Sequence, residues 1–274
     1  MKKLLLIVLP LLLMVGCEGE EKVLVEDCAG VPGGDNICGC TNSEATNYNN
    51  FATYDDGSCC VELWGECYPI DTTILSFYNI SVSGPLPPEI GNFTNLETLA
   101  ISNNQLSGEI PPEIGNLTNL EKLILYGNQL SGEIPPEIGN LTNLLWVDLS
   151  DNQFTGSIPQ TIGNLTNLTR LDLHNNQLSG QIPSWIDNLT SLTHITFAYN
   201  QFSGQIPSWI DNLTSLTHIT FAYNQFSGQI PESICNLNLN FNNMLIASHN
   251  LLCPPYPQCP SLDWWGVQDT TNCY

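Results

Sequence analysis

The chain has 274 residues and a formal net charge of −22, because 27 aspartates and glutamates outnumber five lysines and arginines. Neutralising the phosphates of a nucleic acid takes a surface rich in basic side chains, so this composition excludes nucleic acid as a partner. Two of the five basic residues are Lys2 and Lys3, and their removal with an export signal would leave a formal charge of −24.

The chain begins with a segment that has the features of an export signal. The two lysines precede a short apolar run over residues 4–15, and small residues follow. This order predicts a secretory signal over residues 1–16, with a run too short to span a bilayer. Residues 14–17, MVGC, resemble a bacterial lipobox, which implies that Cys17 is acylated. We therefore expect a lipid-anchored protein of the bacterial cell envelope, extracellular on the outer-membrane surface; the alternative is an ordinary signal peptide with a chance cysteine.

The segments after the signal are acidic and then rich in cysteine. We expect residues 17–27 to be a solvated acidic tether and residues 28–71 to be a cysteine-rich module and N-terminal cap. Setting Cys17 aside leaves ten of 11 cysteines, an even number that predicts five disulfides in an oxidising compartment, with the pairing open. These ten lie only at the two ends of the chain: Cys28, Cys38, Cys40, Cys59, Cys60, Cys67, Cys235, Cys253, Cys259 and Cys273.

Two kinds of metal site compete with this disulfide interpretation. Zinc is disfavoured because the chain has no CxxC pair and no histidine near the first cysteine cluster. The oxygens of Asp55, Asp56, Asn47 and Asn49 suit calcium, but no complete calcium-loop spacing is present, so a turn-rich disulfide knot is favoured. We predict no metal site and no cofactor.

The rest of the chain repeats with a period of 24 residues. Prolines mark the period at Pro87, Pro111, Pro135, Pro159, Pro183, Pro207 and Pro231. A fixed period of this length predicts a solenoid of stacked units. In one block, Leu123 and Leu125 lie on one face of a short strand, and Asn128 follows where the chain turns. We expect such strands to form a parallel sheet, with each asparagine buried and bonded to the backbone of the turn.

The spacing of these positions resembles the plant-type leucine-rich repeat, LxxLxLxxNxLxGxIPxxI, over residues 72–252. The resemblance implies an α/β-type repeat solenoid that is mostly β, with short 3-10, helical or irregular segments on its convex side. It would be a curved leucine-rich-repeat superhelix of about eight 24-residue repeats, closed by a disulfide-stapled C-terminal cap at residues 253–274. Plant proteins with this repeat include receptor-kinase ectodomains and polygalacturonase inhibitors, which implies a role in recognition.

The side chains that flank the strand leucines should point outward from the concave sheet. Every lysine, arginine and histidine of the repeats lies at these positions, together with one tryptophan and three tyrosines. Aromatic and basic side chains carry much of the binding energy at interfaces, whereas exposed strand positions also tolerate such residues without any ligand. We predict a concave ligand-binding face made of Lys122, Tyr126, Trp146, Asp148, Arg170, Asp172, His174, His194, Tyr199, His218 and Tyr223.

These features predict a monomeric cell-surface protein that binds a protein or glycan ligand and meets the membrane only through its lipid anchor. The alternative is a structural or adhesive envelope component without a dedicated ligand. We predict that it is not an enzyme, because the sequence has no nucleophile elbow and no HExxH motif. Asp148 and Asp172 lie on adjacent strands, but Arg170 and the open surface predict a solvated ion cluster, not a catalytic carboxylate pair.

Overall fold

The computed structural model describes residues 27–31, 34–239, 247–259, 266–271 and 273. Within these ranges no helix is long and apolar enough to cross a bilayer. The predicted signal peptide, Cys17 and the tether up to residue 26 lie outside the described residues.

Seven short parallel strands form one sheet, here called the inner sheet, with one strand for each repeat. Leu123 and its equivalents face the core because side chains alternate across a strand. Trp146 pairs with Lys122 on one side and Arg170 on the other, so the register places equivalent positions of successive repeats side by side. The strands are Ile74–Tyr78, Thr98–Ser102, Lys122–Ile124, Trp146–Asp148, Arg170–Asp172, His194–Thr196 and His218–Thr220. The eighth predicted strand, around Leu245, falls largely outside the described residues.

A second row of parallel strands, here called the outer strands, follows the turn after each inner strand, where the sequence analysis predicted no strand. They form two four-stranded sheets, and backbone bonds from Gln177 N to Phe154 O and from Ser179 N to Gly156 O, both 2.8 Å, join the two. The strands are Ser83–Gly84, Gln105–Gly108, Gln129–Glu133 and Gln153–Thr155, then Ser179–Gly180, Gln201–Gly204, Gln225–Gly228 and Leu251–Leu252.

A five-residue 3-10 helix completes each coil. Each helix follows an extended proline; Pro111, for example, has φ −68° and ψ 145°, and Pro112 begins the helix, where its missing N–H costs nothing. Gly139 permits close stacking of these helices, since a Cβ there would lie 2.3 Å from Thr161 O of the next coil. The helices are Pro88–Asn92, Pro112–Asn116, Pro136–Asn140, Gln160–Asn164, Ser184–Asn188, Ser208–Asn212 and Glu232–Asn236. The predicted curved solenoid, mostly β with short 3-10 segments, is confirmed.

From the second inner strand onward, the asparagine after each strand is bonded as the sequence predicted. Asn152 is typical: its amide donates to Leu125 O of the preceding coil at 3.0 Å and to Leu149 O and Ser150 O of its own coil at 3.3 and 3.0 Å. Its Oδ1 accepts from Leu130 N at 3.0 Å. Each such side chain therefore ties two successive coils together and satisfies backbone groups that have left the sheet.

Both ends of the solenoid are covered. An antiparallel hairpin, Cys60–Leu63 with Glu66–Pro69, inserts Val61 and Leu63 into the apolar core of the first coils. At the other end, the segment over residues 266–271 runs beside the last coil, where its Val267 O accepts from His249 N at 2.6 Å.

Five disulfides use all ten cysteines that the sequence assigned to bridges. The pairs are Cys28–Cys38, Cys40–Cys59, Cys60–Cys67, Cys235–Cys259 and Cys253–Cys273. A short parallel pair, Cys38–Gly39 with Tyr54–Asp55, joins the first two bridged segments.

The oxygens of the first module that the sequence analysis considered for calcium are engaged in turns. Asp55 and Asp56 accept backbone N–H groups two residues on, both at 2.9 Å. Asn47 bridges the backbone of Ser58 and Cys60. In the part of the chain that the structure describes, no three side chains of His, Cys, Asp or Glu converge on one point.

Candidate functional site: the concave face

The outward side of the inner sheet, here called the concave face, carries the predicted site residues in columns that run along the solenoid. Residues 24 apart lie on neighbouring strands about 4.8 Å from one another. The column of Lys122, Trp146, Arg170, His194 and His218 is therefore a continuous row of basic and aromatic side chains. The structure thus brings these residues together on one surface.

Arg170 lies at the centre of this row and is held by two neighbours. Its guanidinium carbon lies 4.8 Å from the ring centroid of Trp146, a distance at which a cation interacts favourably with the ring face. Its Nε donates to Asp172 Oδ2. The two contacts fix the plane of the guanidinium while 44% of the side chain stays exposed, so its remaining N–H groups are presented to a ligand in one orientation.

The two carboxylates beside Arg170 are buried, which corrects the prediction of a solvated ion cluster. Asp148 is 7% exposed and Asp172 3%, because they occupy the middle column of the sheet, between larger side chains on either side. Asp148 Oδ1 accepts from the backbone and hydroxyl of Ser150 at 3.1 and 2.6 Å. Burial raises the pKa of Asp148; the bonds from Ser150 oppose this, and the charge of Asp172 adds to it.

All four histidines of the chain lie on the concave face or its edge. The rings of His194 and His218 stack with centroids 4.9 Å apart. Burial lowers the pKa of His194, and the positive charges of His218 and Arg170 lower it further. His174 contacts a different set of side chains. Its Nε2 lies 3.4 Å from Asp151 Oδ2, and its Nδ1 lies 3.4 Å from the hydroxyl of Thr196.

Tyr126 lies on the N-terminal half of the face, apart from the cluster around Arg170. Burial raises its pKa, and the phenol of Tyr78, two coils away, raises it further. Lys122 on the same coil is exposed. The predicted residues therefore lie on one surface but in two groups. Lys122 and Tyr126 form the smaller group on one coil, and the residues from Trp146 to His218 form the larger group.

Another column, here called the edge column, lies at the edge of the concave face and has left-handed backbone in every coil. Its residues have φ between 52° and 68°: Asn79, Asn103, Gly127, Asp151, Asn175, Tyr199, Tyr223 and His249. The rings of Tyr199 and Tyr223 stack at 4.2 Å, and those of Tyr223 and His249 at 4.0 Å. The predicted site included the two tyrosines but omitted His249, Asp151 and Asn175. A signal for this column was present, because Asn, Gly and Asp are the residues that tolerate left-handed backbone and tyrosine is out of place among them.

Family and structural comparisons agree with this geometry. Residues 94–140 and 142–188 match a model of leucine-rich repeats in two copies, and residues 168–226 match a leucine-rich-repeat model. No curated protein sequence matches the chain. The chain is a leucine-rich-repeat protein whose repeats are of the plant type.

Several solved structures are similar. The leucine-rich-repeat ectodomain of the Arabidopsis thaliana receptor kinase GASSHO1/SCHENGEN3, solved with CASPARIAN STRIP INTEGRITY FACTOR 2, is 40% identical, with TM-score 0.63 over 67% of this chain and 22% of that one. The plant peptide hormone receptor RGFR1, solved with RGF2, is 40% identical, with TM-score 0.63 over 66% and 28%. A plant ice-binding protein is 27% identical, with TM-score 0.51 over 74% and 78%. The chain thus spans less than a third of the length of the two receptors.

Proposed function

We propose that this protein is an extracellular binding protein that recognises a protein or glycan ligand through the concave face and catalyses no reaction. The observation that carries the proposal is the concentration of basic and aromatic side chains on this face of a strongly acidic chain. Arg170, fixed between Trp146 and Asp172, is an anchor of the kind that dominates binding energy at interfaces. The two receptors that share the fold were solved in complex with CASPARIAN STRIP INTEGRITY FACTOR 2 and with RGF2, which supports a ligand-binding role for a solenoid of this kind.

The proposed location is the outside of a bacterial cell, with the chain held there by a lipid on Cys17. The five disulfides support an oxidising compartment, and the lipobox-like residues 14–17 support the anchor. In this proposal residues 17–27 are the tether, residues 28–71 the N-terminal cap, and residues 72–252 the ligand-binding solenoid.

The test is a comparison of full-length wild type with the concave double variant Lys122→Ala/Trp146→Ala on a glycan array and a peptide library. We expect every ligand of the wild type to bind the variant at least fivefold more weakly, because an aromatic anchor and a cation are both lost. The matched control is Gln153→Ala/Gln201→Ala on the outer strands, which should bind like wild type. Equal binding by the concave variant would contradict the proposal and favour an adhesive or structural component.

A second candidate function, ice binding, is favoured by the outer strands. On five of the eight outer strands a glutamine and a hydroxyl residue share the exposed side, as in Gln201 and Ser203, and the two such strands of the C-terminal half, Gln201–Gly204 and Gln225–Gly228, contain no charged residue. The hydroxyls of Ser179, Ser203 and Ser227 donate back to glycine carbonyls of the preceding coil at 3.4–3.5 Å, which holds them in a regular row. A periodic surface without charges, as on these C-terminal strands, suits an ordered lattice of water, and the ice-binding neighbour is matched over 78% of its length.

Ice binding is tested by adding charges to this ladder. We expect wild type to inhibit ice recrystallisation and Gln177→Lys/Gln201→Lys/Gln225→Lys to lose that inhibition, because each ammonium group holds its own hydration shell. The concave double variant serves as the control and should retain full inhibition. A wild type that leaves ice growth unchanged removes this candidate.

A further inference from the structure

The ring of Tyr199 begins the aromatic stack at the edge of the concave face and has one open side. One face packs on Tyr223 at 4.2 Å, and the stack continues to His249. Among the described residues no ring packs on the other face, and Tyr199 is 52% exposed. The next residue of the column is Asn175, whose amide turns away to donate to Asp151 Oδ1 at 2.6 Å. The space in front of the Tyr199 ring is therefore open.

Polar groups line that open space. Asp151 accepts from Asn175 through one oxygen, and its other oxygen lies 3.4 Å from Nε2 of His174. His174 is held in turn by the hydroxyl of Thr196, 3.4 Å from its Nδ1. A carboxylate, an amide and an imidazole thus form a connected, partly exposed set beside an aromatic face, with both donors and acceptors available to a ligand.

Stability alone does not account for the tyrosine at this position. Tyr199 has φ 56°, a left-handed conformation that is unfavourable for a bulky side chain, whereas five earlier coils have Asn, Asp or Gly there. Stacking on Tyr223 compensates for this strain but leaves little net stabilisation, since the free energies of aromatic pairing and of left-handed strain are of similar size. A large side chain held in a strained conformation at a surface marks a candidate binding position.

We propose that the open face of Tyr199, with Asp151, His174 and Asn175, is a subsite for one neutral pyranose unit of a glycan. The negative face of an aromatic ring attracts the partly positive C–H groups of a sugar, while carboxylate, amide and imidazole groups bind its hydroxyls. A neutral sugar avoids the repulsion that an acidic one would meet from a chain of net charge −22. This inference rests on the proposed function and specifies the ligand class of the C-terminal half of the concave face.

The experiment titrates cellohexaose, laminarihexaose and mannohexaose into the full-length protein by calorimetry. We expect at least one to bind wild type, Tyr199→Asn to weaken it at least tenfold, and Asp151→Ala to weaken it several-fold. Tyr199→Phe retains the ring face and should bind within about threefold of wild type. Tyr78→Asn, an exposed tyrosine of the first inner strand, is the matched control and should bind like wild type. Because asparagine is the repeat's own residue at this position, Tyr199→Asn should keep its Tm within about 4 °C of wild type.

Two results would overturn the subsite. One is that none of the three hexasaccharides binds wild type, and the other is that Tyr199→Asn binds as tightly as wild type. If either occurs while Lys122→Ala/Trp146→Ala still weakens binding of a ligand found on the array or in the peptide library at least fivefold, the subsite is wrong and the proposed concave function stands. If the double variant also binds normally, both are wrong.

Discussion

Replacing Asn152 by alanine is expected to lower the free energy of unfolding by about 3 kcal/mol, because it leaves several buried backbone groups without a partner. The Asn152 amide donates to Leu125 O in the preceding coil and to Ser150 O in its own, and its Oδ1 accepts from Leu130 N. Alanine replaces none of these bonds, and the side chain is only 9% exposed, so water has little access to the groups it leaves. Urea unfolding followed by circular dichroism measures the change.

Asn143 provides the control in the same coil. Its amide donates one hydrogen bond, to Thr118 O at 2.9 Å, at an exposed edge where water can replace it as the donor. Asn143→Ala is therefore expected to cost less than about 1 kcal/mol. If the two variants lost the same free energy of unfolding, the buried bonds of Asn152 would contribute no more than one exposed bond. That result would contradict the role assigned to the asparagines that follow the inner strands.

The sequence predicted the repeat architecture because each coil repeats the same physical constraints. Leu123 and Leu125 define a strand, Asn128 its turn, and Pro135 the next extended segment, and five further coils carry equivalent residues at all four positions. The outer strands were missed because their pattern of glutamine, glycine and serine has low strand propensity; neighbouring coils pair there only once the inner strands are stacked. The insertion of Val61 and Leu63 into the core was also missed, since tertiary packing decides which apolar residues of a short hairpin are buried.

The sequence predicted which residues lie in columns on the concave face, but not how deeply each side chain is buried or which neighbours it contacts. Register alone places Trp146 beside Arg170, and the structure agrees. The burial of Asp148 and Asp172 was missed because strand alternation tells which side of a sheet a residue faces, whereas larger neighbours decide how much water reaches it. The Tyr199 stack depends on left-handed backbone at the column edge, which is set by the turn and is read from sequence only when all coils are compared position by position.

Arg170 has a structural role besides the proposed binding role, because it supplies the positive charge that pairs with the buried Asp172, whose neighbour Asp148 is also buried. Arg170→Ala is expected to lower the free energy of unfolding by about 2 kcal/mol at pH 7.5, since it leaves Asp172 buried without its ion pair. The value is at the low end for a broken buried pair because the guanidinium itself is 44% exposed and water can partly replace it. The hydroxyl of Thr196, which donates to Asp172 Oδ1 at 3.2 Å, remains as partial compensation.

The loss should shrink as the pH falls, and the sign follows from the direction of the pKa shift. Burial and the charge of Asp172 already raise the pKa of Asp148 above the ordinary aspartate value of 3.8. Without Arg170 no ion pair offsets the charge of Asp172, which then raises the pKa of Asp148 further, so Asp148 takes up a proton at a higher pH in the folded state than in the unfolded chain. A folded state that binds this extra proton is stabilised by acid, and that stability is lost as the pH rises through the folded-state pKa of Asp148. Urea unfolding at pH 4.5 and 7.5 should therefore show a smaller deficit at pH 4.5, and Arg170→Ala/Asp172→Asn should remove most of the deficit at pH 7.5. A deficit that stays the same at both pH values and in the double variant would mean that Arg170 stabilises the sheet through its packing on Trp146 and not through its charge.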